Sequence, residues 1–421
     1  MYRTIFIAGL MLAATTAVAE PAAKPDLQQR VQDIDERVKQ LETGTLAADQ
    51  GGMRTTSSAF NPSISLILDG KLSAFSQDPA TYALPGFALG EETGPGDEGL
   101  RLGESELVMS ANIDDKFYGQ FTAALTPENE TEIEEAFFET LALGGGATLK
   151  AGRFFSHIGY LNPVHAHAWD FADQPLVYRA LLGNQYGDDG VQARWVTPTD
   201  VFVEVGAELF RGDGFPAGGA ANTGKGTHTV FVHIGGDAGV SHAWRIGLSR
   251  LDADAKDRAS GDAATPDLFT GTSKLTGVDF IWKWAPNGNP RQTNFKFQTE
   301  YFTRDEDGTF DPASSGTPLT YNGKQKGWYT QAVYQFMPRW RAGLRTDRLK
   351  ADAVGAAFAG TALDNQGHDP KRTSAMVDFS NSEFSRLRFQ VNRDESRVNQ
   401  KDTQWYLQYI MSLGAHGAHS F

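Results

Sequence analysis

The densest group of side chains able to do chemistry lies in one stretch, SHIGYLNPVHAHAWDFADQPLVYRALLGNQYGDDG, from Ser156 to Gly190. It carries His157, His165, His167, Asp170, Asp173 and Arg179. Residues two apart share one side of an extended segment, so His165 and His167 could chelate a zinc ion together with Asp170, imidazole and carboxylate both suiting that ion. The competing role for the same groups is hydrogen bonding within a packed loop. A second pair, His416 and His419, stands in the tail GAHGAHSF. No catalytic constellation accompanies them: serine, histidine and acid all occur, but no elbow motif positions a nucleophile. The chain therefore reads as a protein that is not an enzyme.

Everything around that stretch has period two. From Asp402 to Leu413 the residues Trp405, Leu407, Tyr409, Met411 and Leu413 alternate with Tyr406, Gln408, Ile410 and Ser412, and the chain ends on Phe421. A strand with one greasy face and a terminal aromatic is the pattern of an outer-membrane barrel. Sixteen such crossings are predicted, centred near Leu68, Val108, Phe121, Phe137, Ala151, Ala193, Val205, Phe231, Ile246, Phe280, Phe297, Ala332, Leu344, Val377, Phe389 and Tyr409. Short turn-forming connections such as Asn112 to Asp115, Thr197 to Asp200 and Met337-Pro338 alternate with long ones: Ser76–Arg101, Ser156–Gly187, Arg211–Gly226, Asp252–Ser273, Arg304–Gly323 and Lys350–Pro370. Short periplasmic turns and long outer loops around an even strand number are how bacterial barrels are built. A soluble sandwich has no reason to alternate its loops.

The greasy faces are Val201 to Leu209, Val278 to Trp284 and Leu387 to Val391, with aromatics such as Trp195, Trp244, Trp328 and Trp340 toward the strand ends, as in interfacial girdles. The opposite faces put Glu104, Glu106, Glu204 and Glu208 on one wall of the lumen and Arg341, Arg345, Arg372, Arg386 and Arg388 on the other. Opposed charges across a constriction would orient dipolar solutes, and the arginine wall would attract anions. The same charges could instead pair with one another. The loop after Ser156 is too apolar for an exposed connection, so it should fold back against the inner wall and narrow the pore. His157, His165, His167, Asp170, Asp173 and Arg179 then become the constriction groups.

The two ends complete the organisation. Residues 1–19 read as a signal peptide, with Arg3, an apolar run from Ile5 and the cleavage site Ala17-Val18-Ala19. Residues 20–44 hold a heptad seam of Leu27, Val31, Ile34, Val38 and Leu41. That seam suits either one amphipathic helix packed on another surface or a short periplasmic coiled coil held together by associated barrels. Residues 45–63 are a linker and 64–421 the barrel. The fold expected is all-β, a 16-stranded antiparallel transmembrane β-barrel with a short N-terminal periplasmic coiled-coil helix. Cysteine is absent, which excludes disulfides and thiolate metal sites, and a formal charge of −14 argues against nucleic acid as a partner.

With its heptads, its sixteen crossings, and Ala151-Gly152-Arg153-Phe154 leading into a long third loop that ends at Tyr178-Arg179 and resumes at Asp189-Gly190-Val191-Gln192, the chain resembles the phosphate-selective porin O/P superfamily and its coiled-coil trimeric relatives. That resemblance implies an outer-membrane porin of Gram-negative bacteria, a homotrimer inserted by the barrel-assembly machinery, its third loop forming the constriction through which small hydrophilic solutes diffuse. Phosphate-specific members line their pores with basic residues, whereas the lumen here is mixed. Gly152-Arg153-Phe154-Phe155, His165 to Phe171 and Ala415 to His419 are also similar to proteins labelled zinc-regulated or TonB-dependent outer-membrane receptors. A TonB-dependent receptor needs a plug and a 22-stranded barrel, for which the chain has no room. A zinc-linked uptake protein using the loop histidines remains the alternative.

Overall fold

The computed structural model describes residues 62–90, 93–127, 130–218, 226–262 and 264–414. The predicted signal peptide, the heptads from Leu27 to Leu41, nearly all of the linker, and the tail with His416, His419 and Phe421 lie outside the described residues. No helix among the described residues is long and apolar enough to cross a membrane.

Seventeen strand segments make one antiparallel sheet that closes on itself. They are β1 (Ser63–Phe75), β2 (Gly99–Leu102), β3 (Ser105–Asn112), β4 (Phe117–Leu125), β5 (Thr131–Thr140), β6 (Ala147–Phe155), β7 (Gly187–Val196), β8 (Phe202–Phe210), β9 (Thr227–Ala238), β10 (His242–Ser260), β11 (Asp267–Trp284), β12 (Asn294–Asp311), β13 (Leu319–Met337), β14 (Trp340–Ala351), β15 (Lys371–Ser382), β16 (Ser385–Glu395) and β17 (Asp402–Gly414). β2 and β3 pair successively with β1 and form one crossing interrupted at Gly103-Glu104, so the barrel has sixteen crossings. Closure is the β1–β17 ladder, from Ser65 opposite Gly414 to Phe75 opposite Gln404. Each predicted centre falls inside a strand.

Alternation sets which face meets lipid. On β17, Trp405, Leu407, Tyr409 and Leu413 are exposed outward while Tyr406, Gln408 and Ile410 are buried. Outward exposure of Val278, Leu387, Phe389 and Leu209 follows the same rule.

Two connections differ from the expectation. The stretches Asp252–Ser273 and Arg304–Gly323 are largely strand, because β10 to β13 run for 18 or 19 residues, whereas a tilted strand needs only about 9–11 to cross a bilayer. Beyond the greasy band the pattern inverts. Asp254, Lys256, Asp305, Asp307, Lys324 and Lys326 face out, while Ala255, Phe269, Phe310 and Tyr321 pack inward with Phe358 and Leu363. Polar outside and apolar inside is right for a barrel wall standing in water, and it erases the lipid-facing signal on which the loop assignment rested.

The lumen is also less empty than a sixteen-strand barrel requires. The Ser156–Tyr186 loop lies inside it and contains a short helix, α1 (Leu176–Leu182), closed by Gly183 in the left-handed conformation (φ 59°). Leu176, Val177, Tyr178, Leu181 and Leu182 are buried against inward-facing Leu251, Leu275, Phe302, Tyr329 and Leu349. Burial of each such aliphatic side chain is worth about 1.5–3 kcal/mol. The loop's unusual apolarity is the core of a packed plug.

Candidate functional site

The loop is held from one end to the other by inward-facing polar residues, and its partners change in sequence along it. At its start, Glu208 accepts from Ser156 Oγ at 2.5 Å and from the His157 amide at 2.9 Å. Glu300 then accepts from the amides of Tyr160 (2.8 Å) and Leu161 (3.1 Å) and from the Tyr178 hydroxyl (2.8 Å). These carboxylates satisfy backbone donors that a non-repetitive segment cannot satisfy itself. Burial pushes the His157 imidazole well below its ordinary range, which favours its neutral form.

Next comes an acidic cradle for the histidines. His167 Nδ1 lies 2.7 Å from Glu106 Oε1. His165 Nδ1 lies 3.2 Å from Glu134 Oε2 and 3.3 Å from Glu106 Oε2, and its Nε2 lies 2.9 Å from Glu135 Oε2. The two rings stack at 5.8 Å between centroids. Burial opposes charge on His165, but its bonds to Glu106, Glu134 and Glu135 raise it well above the ordinary range.

The second half of the loop faces the basic wall. Asp170 is held by Lys296, by Arg341 Nη1 at 3.1 Å and by Gln331. Asp173 accepts from Arg345 (2.6 Å), Arg372 (2.7 Å), Arg179 (3.3 Å), Gln390 (2.7 Å) and Asn392 (3.0 Å). Arg386 and Arg388 donate to the His167 and Trp169 carbonyls at 2.5 and 2.6 Å. Burial would raise Asp170 and Asp173, yet the adjacent cations hold both carboxyls below the usual range: Lys296 and Arg341 for Asp170, Arg372, Arg345 and Arg179 for Asp173.

All the predicted lumenal residues sit on inward faces, and eight of the nine meet the loop or its cradle. Glu104 adjoins Glu106 and Glu134. Glu204 is the exception, paired with His233 at 2.9 Å. Asp170, named with His165 and His167 for zinc, is engaged on the opposite wall by Lys296 and Arg341. Sequence reasoning missed Glu134, Glu135, Glu300 and Asp347. Glu300 and Asp347 were findable, since each alternates with other inward residues of its strand. Glu134 and Glu135 were not. The pairing slips there, Thr122 opposing Glu135 and Ala123 opposing Ile133, so Glu134 is a bulge residue and two consecutive carboxylates share one side.

Two cavities flank the loop segment 169–173. One, about 480 Å³, lies toward the short turns and is lined by Lys283, Lys296, Arg341, Asp170 and Asp237. The other, about 490 Å³, lies toward the long connections and is lined by Lys71, Arg101, Arg179, Asp97, Glu104 and Asp173.

No family model matches the chain. It is 30% identical over 398 residues to an uncharacterized protein of Aquifex aeolicus, covering 86% of this chain and 80% of that one, and it belongs to the same family as that protein. In fold it is similar to the anion-selective porin of Comamonas acidovorans, with a TM-score of 0.54 at 9% identity over 84% of this chain and 99% of the other. It is likewise similar to the trimer form of the Vibrio cholerae outer membrane protein OmpT, with a TM-score of 0.50 at 12% identity over 85% of this chain and 100% of the other. The fold is that of a porin barrel.

Proposed function

We propose that the protein is an outer-membrane porin, a water-filled diffusion channel for small hydrophilic solutes whose narrowest part is bounded by the loop segment 169–173. The observation that carries this reading is a pair of cavities, one on each side of that segment, inside a closed barrel with a lipid-facing outer surface. The mechanism is passive. A solute enters among the long connections, passes the charged edge of the loop, and leaves among the short turns.

Wall charge then acts as a filter rather than a binding site. Most of the arginine wall is committed to the loop, since Arg345 and Arg372 neutralise Asp173 and Arg386 and Arg388 are bound to loop carbonyls. The side chains that line the inner cavity are Lys283, Lys296 and Arg341 with Asp170 and Asp237. Lys296 and Arg341 are paired with Asp170, and Arg341 also with Asp378, so any preference for anions rests on the small excess of cations among the lining groups. A trimer is the proposed assembly, as in the OmpT form to which the fold is similar.

Single-channel recording of the purified protein in a planar bilayer, with reversal potential under a salt gradient, tests the reading. Stable openings with a reversal potential of anion sign support it in full, while cation sign removes the anion preference and leaves the channel. A protein that inserts without conducting overturns the porin.

A further inference from the structure

The acidic cradle around His165 gathers more carboxylates than close cations. Glu104, Glu106, Glu134 and Glu135 converge there with His165 and His167, and among the described residues no lysine or arginine stands within ion-pair distance of any of them, Lys71 and Lys150 acting only from farther off. The basic wall is the opposite case, with its Arg345 and Arg372 joining the loop's own Arg179 on Asp173 alone. Glu106 is fully buried, and the nearest group to its Oε2 is His165 Nδ1 at 3.3 Å, which Glu134 Oε2 shares at 3.2 Å, so that this oxygen lacks a well-formed hydrogen bond of its own. A buried carboxylate oxygen left with one shared, poorly aligned donor is costly unless a cation completes it.

The geometry points to a divalent first-row cation held by His165 Nδ1, Glu106 Oε2 and Glu134 Oε2. Donors bound at ~2.0–2.1 Å to one tetrahedral ion stand ~3.3–3.4 Å from each other. His165 Nδ1 already lies 3.3 Å from Glu106 Oε2 and 3.2 Å from Glu134 Oε2, and all three donor atoms lie within 4.8 Å of one another. The surroundings supply the orienting bonds that such sites use. Glu135 lies 2.9 Å from His165 Nε2 and can accept its hydrogen bond, so that an ion binding at Nδ1 displaces the proton which Glu106 and Glu134 otherwise favour there, and His167 binds the other oxygen of Glu106 at 2.7 Å. One imidazole and two carboxylates suit a borderline ion of the zinc or cobalt class rather than calcium or magnesium, which take oxygen alone. The His165 and Glu134 side chains retain 16% and 11% exposure, so an ion can enter from the lumen.

Such an ion would join three elements, β3 through Glu106, the bulge of β5 through Glu134, and the loop through His165. It would fasten the loop to the wall opposite the arginines. This inference does not depend on whether the barrel conducts. The bulge is what makes it: without the slipped register at Glu134 the cradle would lose one of its two carboxylate donors.

The test is calorimetric titration of the full-length, chelator-treated protein in detergent with Zn2+, repeated with Co2+ and read by its visible absorption. The expected result is one ion per chain and a low-symmetry cobalt spectrum. Glu134→Gln and His165→Gln should each weaken binding at least tenfold, and Glu135→Gln should weaken it about 10- to 100-fold through the imidazole it orients. His416→Ala/His419→Ala should leave the stoichiometry and affinity unchanged. Each variant is accepted only with wild-type heat-induced unfolding in the metal-free state, and Glu134→Gln, the smallest change, carries the test if a histidine variant fails to fold. Absence of binding overturns the proposal, as does binding that survives Glu134→Gln and His165→Gln or disappears with the tail histidines.

Discussion

Asp173 is the loop residue that gathers the most cations, Arg345 and Arg372 from the wall and Arg179 from the loop itself. Its side chain has no long apolar stem to contribute, so its effect lies in neutralising these three groups and in accepting from Gln390 and Asn392. Removing one member of a buried charge set leaves the others uncompensated, at a cost of about 3–5 kcal/mol. Asp173→Asn should therefore loosen the loop, seen as protease cleavage between residues 156 and 186 and as noisier, larger channel currents, and a variant with wild-type resistance to protease would contradict the clamp. The pH dependence has a definite sign. The three guanidinium groups hold the carboxyl below the usual range despite burial, so its folded value lies below its unfolded one. Its contribution is then complete above ordinary carboxylate values near ~4 and is lost only as pH falls through the depressed folded value. The protease resistance that Asp173→Asn removes should therefore be as large at about pH 5 as at pH 7, and a difference between variant and wild type that vanishes at about pH 5 would refute the assignment.

At the scale of elements, the barrel wall and the loop follow different rules. A strand needs only alternation, and every predicted crossing centre falls in a strand for that reason. The loop is an irregular strap whose shape is set by distant partners, from Glu208 at its start to Asp347, which accepts from the Leu176 amide at 2.9 Å and opens α1 in place of a side-chain cap. One wall position admits that helix. A Cβ added at Gly327 would collide with Leu349 and come within 2.9 Å of Val177 Cγ2, so only glycine lets α1 approach β13 so closely. Gly327→Val should lift α1 from the wall, an overpacking cost of about 1–3 kcal/mol, with a changed single-channel conductance and an intact barrel by circular dichroism. Unchanged conductance would show that α1 does not bound the passage.

At the scale of the whole molecule, one set of strands serves two environments. Near the short turns the wall faces lipid and is greasy outside, and on the far extensions of β10 to β13 it is polar outside and apolar within. A coiled coil from residues 20–44 would belong to the same level of organisation, because two and a half heptads are stable only if the barrels already associate. Deleting Asp26 to Gly44 should lower the fraction of trimer by native mass measurement while leaving single-barrel conductance unchanged. Monomers in the intact protein would refute the trimer itself.

Alternation by itself determined that the chain is a barrel, which residues face lipid and which face the lumen, and that the segment after Ser156 must turn inward, because side-chain period and apolarity are local properties read without knowing any partner. Glu104, Glu106, Glu204, Glu208 and the five wall arginines were legible on that ground. Only the tertiary structure decided what those charges do. The arginines meet loop aspartates and carbonyls rather than open water, and Glu134 joins Glu135 on one side through a slipped register that leaves no mark in the sequence. The extensions of β10 to β13 were likewise hidden, because a wall in water carries no greasy outer face. Pairing between residues more than a hundred positions apart depends on the closure of the barrel, and closure is a property of all sixteen crossings together.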